Sequence, residues 1–367
     1  MDDLLYKIAL TKIPLVGAVT AKNLVSYCGG VKEVFEAKKA QLLKIPGIGE
    51  QTALNILSQD VLLLAEREVE FIEQHGIAPL FYLDKGYPVR LRNLPDAPVM
   101  LYYKGSADLN AARTIGIVGT RTPTPHGLSA CEELVDSFLP YKPLIISGLA
   151  YGIDIAAHRR CLDVGLETVA VLGHGLSLIY PHQHRKTAFE MTSQGGLLTE
   201  FASHVGPERE NFPMRNRIVA GLCDALVVVE TATRGGSIIT AQQANGYNRD
   251  VFAIPGRVKD KFSQGCHFLI KSNMASLIEN AADVARVLRW PENDMEKNGK
   301  PAHPELFIEL TEQEKIIVDI LQLADETGVD QLSYESKISN SELASLLLNL
   351  EFKGLVRSLP GKRYVLS

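Results

Sequence analysis

The spacing of apolar positions changes twice along the chain. From residue 1 to about 75 apolar residues recur at helical spacing, interrupted by short Gly and Pro turns, which predicts a helical domain over 1–75. Two of the interruptions resemble each other: Ile13-Pro14-Leu15-Val16-Gly17 and Ile45-Pro46-Gly47-Ile48-Gly49. Each leads into a helical run, so the pair reads as tandem helix-hairpin-helix (SAM-like) units, the second being the better match.

Beyond residue 76 the period shortens. Thr114 to Val118, Pro143 to Ile146, Thr168 to Leu172, Ala225 to Val229 and Val251 to Ile254 are continuous apolar runs rich in Val and Ile. Each ends at a turn, and most are followed by a helical segment. Strands that are apolar on both faces and alternate with helices specify a parallel sheet covered on both sides. The fold class expected over 76–290 is therefore α/β, a Rossmann-like doubly wound sheet.

Residues 291–310 carry Pro291, Asn293, Asp294, Asn298, Gly299, Pro301 and Pro304 without periodicity and read as a linker. Helical spacing returns in 311–367. Thr311 and Glu314 fit a capping box that opens a helix through Leu323. A second helix is predicted near Val329 to Ser336 and a third from Ser341 to about Lys353, ended by Gly354. Leu355 to Ser358 and Arg363 to Leu366 make a hairpin around Pro360-Gly361, and the whole reads as a winged helix.

The candidate chemistry lies in the middle part. Glycine-rich turns follow the predicted strands: Gly119-Thr120-Arg121, Ser147-Gly148 through Gly152, Gly173-His174-Gly175 and Gly235-Gly236-Ser237. Glycine lets the backbone approach a ligand, and a helix N-terminus offers unpaired N–H groups and the positive dipole end. Ligands of such sheets sit at the carboxyl ends of the strands, where these turns fall. Several on one sheet edge make a phosphate-binding surface.

Composition narrows the class. The chain has 367 residues, 46% hydrophobic and 22% charged, with a formal net charge of −5. That fits a soluble globular protein and excludes a generally basic DNA-coating protein, so any anion site is a local patch. Cys28, Cys131, Cys161, Cys223 and Cys266 lack CxxC or Cys/His spacing and read as small buried apolar residues in a reducing compartment. His174, His182 and His184 lack a carboxylate or thiolate at suitable spacing, so no metal site is expected. No cofactor is expected either. The acidic Met1-Asp2-Asp3 start lacks the layout of a signal peptide, and no apolar stretch is long enough for a membrane span. A cytoplasmic location is expected.

Read in order, the motifs resemble one family. They are Thr114 to Arg121, Ser147 to Asp154, Val171 to Leu176 with Tyr180-Pro181, and Phe212 to Leu222. Gly235 to Ala241, Val251 to Gly256 and Gly265 to Lys271 follow. Singly each is weak, but the ordered set is specific. The chain resembles the DNA-processing protein DprA (Smf) family over nearly its whole length. The resemblance implies a dimer, built through the Rossmann-like domain, that binds single-stranded DNA entering the cell during natural transformation. It protects the strand and loads the RecA recombinase. It implies a binding mediator, not an enzyme.

Under that resemblance Gly119, Thr120 and Arg121 lie in the DNA pocket, with the arginine fork on a phosphate. Ser147 and Gly148 supply hydroxyl and backbone donors. Asp154 is read as an N-cap and His158 as a structural or pocket-lining residue. Gly173 and Gly175 line the edge, and Arg185 and Lys186 add phosphate contacts, although the family usually has Asn near His184 and Asp near Ser177. Arg215 and Arg217 flank Asn216 and point to different faces of a helix. One is expected to reach DNA and the other a carboxylate such as Glu200 or Glu230, with Arg217 favoured as the DNA contact. Gly235, Gly236 and Ser237 resemble the phosphate loop of nucleotide-cleaving relatives such as the cytokinin-activating phosphoribohydrolases. Those carry a glutamate where this chain has Gln242, which cannot ionise. Lys271 is expected to add a further phosphate contact, and Phe268 is either core or a stacking surface.

The end domains show less positive charge. Glu50 and Gln51 follow Gly47-Ile48-Gly49, a poor anion site, so that unit is expected to be structural or auxiliary. Residues 311–367 hold six basic and nine acidic side chains, with no Lys or Arg between Ile338 and Phe352. A groove-reading helix needs positive charge, so the winged helix is expected to be a partner-binding or regulatory module and not a second DNA reader. Aromatic residues are 7% of the chain, so phosphate contacts are expected to dominate, with steep salt dependence and little sequence preference.

Overall fold

The computed structural model describes residues 2–58, 60–291, 310–323, 327–353, 355–359 and 363–366. It divides into two compact units, Met1–Met295 and Glu296–Ser367.

The first unit opens with helices α1 (Asp2–Lys12), α2 (Ala18–Cys28), α3 (Val31–Glu36), α4 (Lys39–Leu42), α5 (Glu50–Leu57) and α6 (Asp60–His75). Gly17 and Gly49 are the N-caps of α2 and α5, the second helices of the two predicted hairpins. Gly47 sits at φ +84°, which explains the glycine in the second turn. The core of these helices, including Ile8, Leu24, Val34, Leu42 and Ile56, does not close on itself. It is completed by Phe81, Met100 and Tyr102 from the first two strands. Helix α6 is also tied down by Glu68, which accepts the Ser203 N–H at 2.8 Å and its hydroxyl at 3.0 Å.

The strands are β1 (Ala78–Phe81), β2 (Met100–Gly105), β3 (Thr114–Val118), β4 (Leu144–Ser147), β5 (Thr168–Val171), β6 (Gly195–Thr199), β7 (Ala225–Val228), β8 (Asp250–Ala253) and β9 (Ser276–Leu277). They form one sheet in the order β1-β2-β6-β5-β4-β3-β7-β8-β9. From β6 to β9 all neighbours are parallel, and the β1–β2 hairpin is added antiparallel at the β6 edge. The doubly wound sheet expected from the apolar runs is present, with that hairpin as an unread extension.

Helices α7 (Val89–Arg92), α8 (Pro125–Ser137), α9 (Ile153–Val164), α10 (Arg185–Met191), α11 (Asn211–Leu222), α12 (Gly236–Gly246), α13 (Gln264–Lys271) and α14 (Ala281–Val287) connect and cover the strands. Ile115, Ile117 and Val227 pack toward Leu134, Phe138 and Ala157 on one face. Val118, Leu226 and Val228 pack toward Ile218, Ala241 and Leu269 on the other. This period-two split makes each central strand apolar throughout.

The chain enters the middle of the sheet at β3, runs outward through β4, β5 and β6, then returns to β7 on the other side of β3. The crevice outside the carboxyl ends of β3 and β7 is therefore the topological switch point.

The second unit contains α15 (Glu312–Leu323), α16 (Val329–Ser336) and α17 (Asn340–Phe352), with β10 (Thr327–Gly328), β11 (Val356–Leu359) and β12 (Arg363–Leu366) in the order β10-β12-β11. The expected capping box is formed: the Thr311 N–H donates to Glu314 at 2.8 Å and the Glu314 N–H to the Thr311 hydroxyl at 3.3 Å. Ile317, Leu321, Leu332, Leu343, Leu347 and Val356 make its core. The strand β10 was not foreseen. Gly354, Pro360-Gly361 and most of the 291–310 linker lie outside the described residues.

Candidate nucleic-acid interface

At the switch point the turns after β3 and β7 enclose a cavity of about 430 Å³. Its lining includes Gly119, Thr120 and Arg121 from the first turn, Asn216 from α11, and Arg234, Gly235, Gly236 and Ser237 from the second. Six predicted residues besides Arg121 thus converge in one place.

The turn after β3 is fixed from both sides. The Thr120 N–H donates to the Glu230 carbonyl at 2.6 Å, and the Thr120 carbonyl accepts the Ile153 N–H at 3.2 Å. Gly152, at φ +81°, passes so close to Thr120 that a Cβ would meet its carbonyl oxygen. The sequence therefore needs glycine there for a tight backbone crossing. The Glu230 carboxylate is held by the Thr124 N–H at 2.9 Å and hydroxyl at 2.6 Å. Thr124 is the N-cap of α8, so Glu230 is committed to that junction and pairs with neither arginine of α11.

The second turn presents the start of α12. Gly235 is its N-cap, and Gly236 and Ser237 open its first turn. The first N–H groups of a helix have no intrahelical acceptor and carry the positive dipole end. Arg121 and Arg234 are exposed beside them, and the Arg121 guanidinium lies 5.5 Å from the Phe212 ring centre. Two guanidinium groups and a helix start around one cavity form an anion cradle. Arg234 was missed in the sequence; its place directly before Gly235-Gly236 was the available signal.

Asp154 lies in the same lining, inside the first turn of α9. The N-cap is Gly152, so the expected capping role is corrected: Asp154 instead accepts the Ala150 N–H at 3.4 Å, bracing the turn before the helix. Burial pushes its carboxyl pKa up, and Arg215 pulls it back.

Other expected contacts are overturned by burial. Arg215 is 3% exposed and donates to the carbonyls of Gly148 and Val171, so it joins the ends of β4 and β5 from inside and does not face a strand. Burial lowers its pKa to about 10, still charged at neutral pH. Arg217, the favoured DNA contact, is the one that finds the carboxylate: it pairs with Glu200 and donates to the Asp96 carbonyl. Ser147 is fully buried, and its hydroxyl donates to the Ile117 carbonyl at 2.6 Å. Gly148 makes room for the Arg215 guanidinium, Gly173 for the Phe212 ring, and Gly175 for the backbone of Ala202 and Ser203. These four residues serve to keep the loops packed. The Ser237 hydroxyl, though in the lining, donates to Thr231 at 2.7 Å.

The remaining cations lie elsewhere. Arg185 and Lys186 border a separate depression with Leu178 and Phe189, and Lys186 sits 3.7 Å from Glu190. Lys271 borders another with Val258, His267 and Phe268. His158 is fully buried against the Thr168 hydroxyl at 2.7 Å, a structural position. His174 and His184 make ring contacts with the Gly175 and Leu149 carbonyls at 2.8 Å each. Among the described residues no group of three His, Cys, Asp or Glu side chains is placed to hold a metal, and no helix is long and apolar enough to cross a membrane.

The switch-point crevice lies on a Rossmann-like doubly wound sheet, in a chain that also carries a helix-hairpin-helix tandem before it and a winged helix after it in sequence. The comparisons with known proteins sharpen the class. Residues 78–289 match the model of DNA recombination-mediator protein A, 7–59 a SAM-like helix-hairpin-helix tandem and 301–362 the DprA winged helix domain. Protein Smf of Synechocystis is 32% identical over 98% of this chain and 98% of its own. DNA processing protein DprA of Streptococcus pneumoniae is 35% identical over 69% of this chain and 96% of its own. The X-ray structure of the pneumococcal protein superposes with a TM-score of 0.69, covering 77% of this chain and 97% of that one at 33% identity. A Helicobacter pylori DprA structure, described as showing a single-stranded DNA binding mode, gives 0.53 at 27% identity, over 58% of this chain and 95% of its own. The chain belongs to the DNA recombination-mediator protein A (DprA/Smf) family.

Proposed function

We propose that this protein binds single-stranded DNA at the β3/β7 switch point and acts as a recombination mediator. The observation that carries the reading is the convergence of Arg121, Arg234 and the start of α12 in one cavity. Phosphates sit against the first N–H groups of α12 and the two guanidinium groups, while Gly119 and Thr120 form the floor. Membership of the DprA family and the single-strand binding described for the Helicobacter pylori relative support the same assignment. The role then includes protection of incoming strands in natural transformation, delivery to RecA in the cytoplasm, and a homodimer through the Rossmann-like domain. Arg185, Lys186 and Lys271 enter only where the strand extends beyond the cavity.

The protein works by binding, without turnover. Gln242 is exposed on α12 and outside the cavity lining. Asp154 supplies a carboxyl, but it braces the Ala150 turn. Release of a base from a nucleoside monophosphate would count against this part of the reading. The primary test is fluorescence anisotropy of a labelled oligonucleotide, single-stranded and duplex, over a range of salt. Tight single-strand binding with a steep salt slope and weak duplex binding is expected. Weak, salt-insensitive binding to both would overturn the proposal.

A further inference from the structure

Beside the cradle, and sharing Arg121 with it, runs a wider trough of about 940 Å³. Tyr151 and Arg159 line it. Tyr151 stands out because a large ring is exposed there yet held in place. It is 43% exposed, its hydroxyl donates to Gln183 at 2.8 Å, and its ring meets the buried His184 edge-on at 5.0 Å. The His184 ring in turn contacts the carbonyl of Leu149, a buried residue at φ 59°. That backbone region is unfavourable for a branched side chain. With Gly152 at φ +81°, the turn Leu149–Gly152 is a constrained device that projects one aromatic ring between β4 and α9. Ordinary core packing needs no such projection.

The position connects two sets of cations. Arg121 lies on the cradle side of the trough. On the other side Tyr151 is bonded to Gln183, two residues before Arg185, and Arg159 reaches Thr187 at 3.5 Å. Arg160 is already closed onto Asp136 through two bonds of 2.6 Å. Tyr151 thus shares the trough with Arg121, Glu132 and Asp163 and is bonded to the segment that leads to Arg185 and Lys186.

We propose that Tyr151 is a base-stacking platform forming a second nucleotide subsite, occupied by the base next to the one whose phosphate sits in the cradle. This rests on the single-strand reading above. The ring is ordered before the ligand arrives, so stacking costs little entropy, and every base offers a π-face, so sequence preference stays low.

The test compares Tyr151→Leu, Tyr151→Phe and Arg121→Ala on a labelled oligothymidylate and on the same backbone made abasic. Matching urea midpoints establish that each variant is folded. Wild type is expected to prefer the base-bearing strand. Tyr151→Leu should lose roughly five- to 150-fold on it and fall to the abasic level, with an unchanged salt slope. Tyr151→Phe, which keeps the ring and loses the Gln183 bond, should stay near wild type. An equal loss on both strands, or a shifted salt slope, would make Tyr151 a positioning residue and overturn the proposal. Wild-type affinity in Tyr151→Leu with weakened binding in Arg121→Ala would overturn the subsite alone. No effect of either substitution would overturn the reading beneath it as well.

Discussion

Gly148 and the Arg215 guanidinium occupy one space: a Cβ on Gly148 would stand 2.5 Å from Nη1 of Arg215. The glycine that resembles a phosphate turn in the sequence is there to admit an internal arginine. That arginine bonds the carbonyls of Gly148 and Val171, the ends of two adjacent strands, and Asp154 offsets its charge electrostatically.

Arg215→Met should therefore act on stability first. It leaves two buried carbonyls without their donor, at about 1–3 kcal/mol for each unpaired group, and removes the positive charge facing Asp154. A loss of roughly 2–5 kcal/mol is expected from the urea midpoint. Arg215→Lys should recover only part of it, because an ammonium lacks the planar fork. An unchanged midpoint would show that the internal bonds contribute nothing.

The two exposed arginines should behave differently. Arg121→Ala and Arg234→Ala should leave the urea midpoint within about 0.5 kcal/mol of wild type, as surface substitutions do. Each should weaken single-strand binding and lower the salt slope by roughly one unit, as for one lost phosphate contact. The double variant should lose about two units. A slope that does not move would remove that arginine from the cradle.

These contrasts also mark how far the sequence could be read. The five central strands were visible because their runs are apolar on both faces, a consequence of burial between two helical layers. β6 was not, since Gly195-Gly196 interrupts its run; there Gly196 makes room for the Tyr103 ring against the neighbouring strand. The turns at strand ends were equally visible, but their uses were not. Gly148, Gly173 and Gly175 look like Gly119 and Gly235 in one dimension. Only the three-dimensional arrangement shows what each one admits: Arg215 at Gly148, Phe212 at Gly173, a neighbouring backbone at Gly175, and Ile153 and Thr231 at Gly119 and Gly235, which also line the cavity. The same limit applied to Arg215 and Arg217: their opposite faces on α11 were predictable, but which face met which carbonyl or carboxylate depended on the loops packed against it.

Burial at the same junction makes a pH prediction. His158 is fully buried, and burial lowers its pKa to about 3 from the usual 6.5, with Arg215 and His184 adding to the shift. A group depressed in the folded state stabilises above its unfolded pKa. The contribution is complete above about pH 6.5 and is lost as pH falls toward 3. Asp154 and Glu200 are raised by burial and act in the opposite sense, favouring the fold when protonated. The His158 term is therefore isolated by comparison: in His158→Gln the drop in urea midpoint between pH 7 and pH 5 should be smaller than in wild type. An equal drop in both would assign the acid sensitivity elsewhere.

The last prediction concerns the winged helix. Its α17 begins with Glu342 in the first turn and carries exposed Leu348 and Phe352, a surface suited to a protein. Lys353 is folded back onto Glu314 at 2.7 Å and is engaged within the unit. Lys315, Lys337 and Arg357 are exposed, but they lie on different elements. Reversing all three to Glu should leave single-strand affinity within about twofold and the salt slope unmoved, because no phosphate contact is lost. Arg121→Ala in the same assay provides the scale. A loss as large as that one would show that the unit reads nucleic acid despite its acidic balance. An unchanged affinity would direct the search for its partner to proteins that meet Leu348 and Phe352.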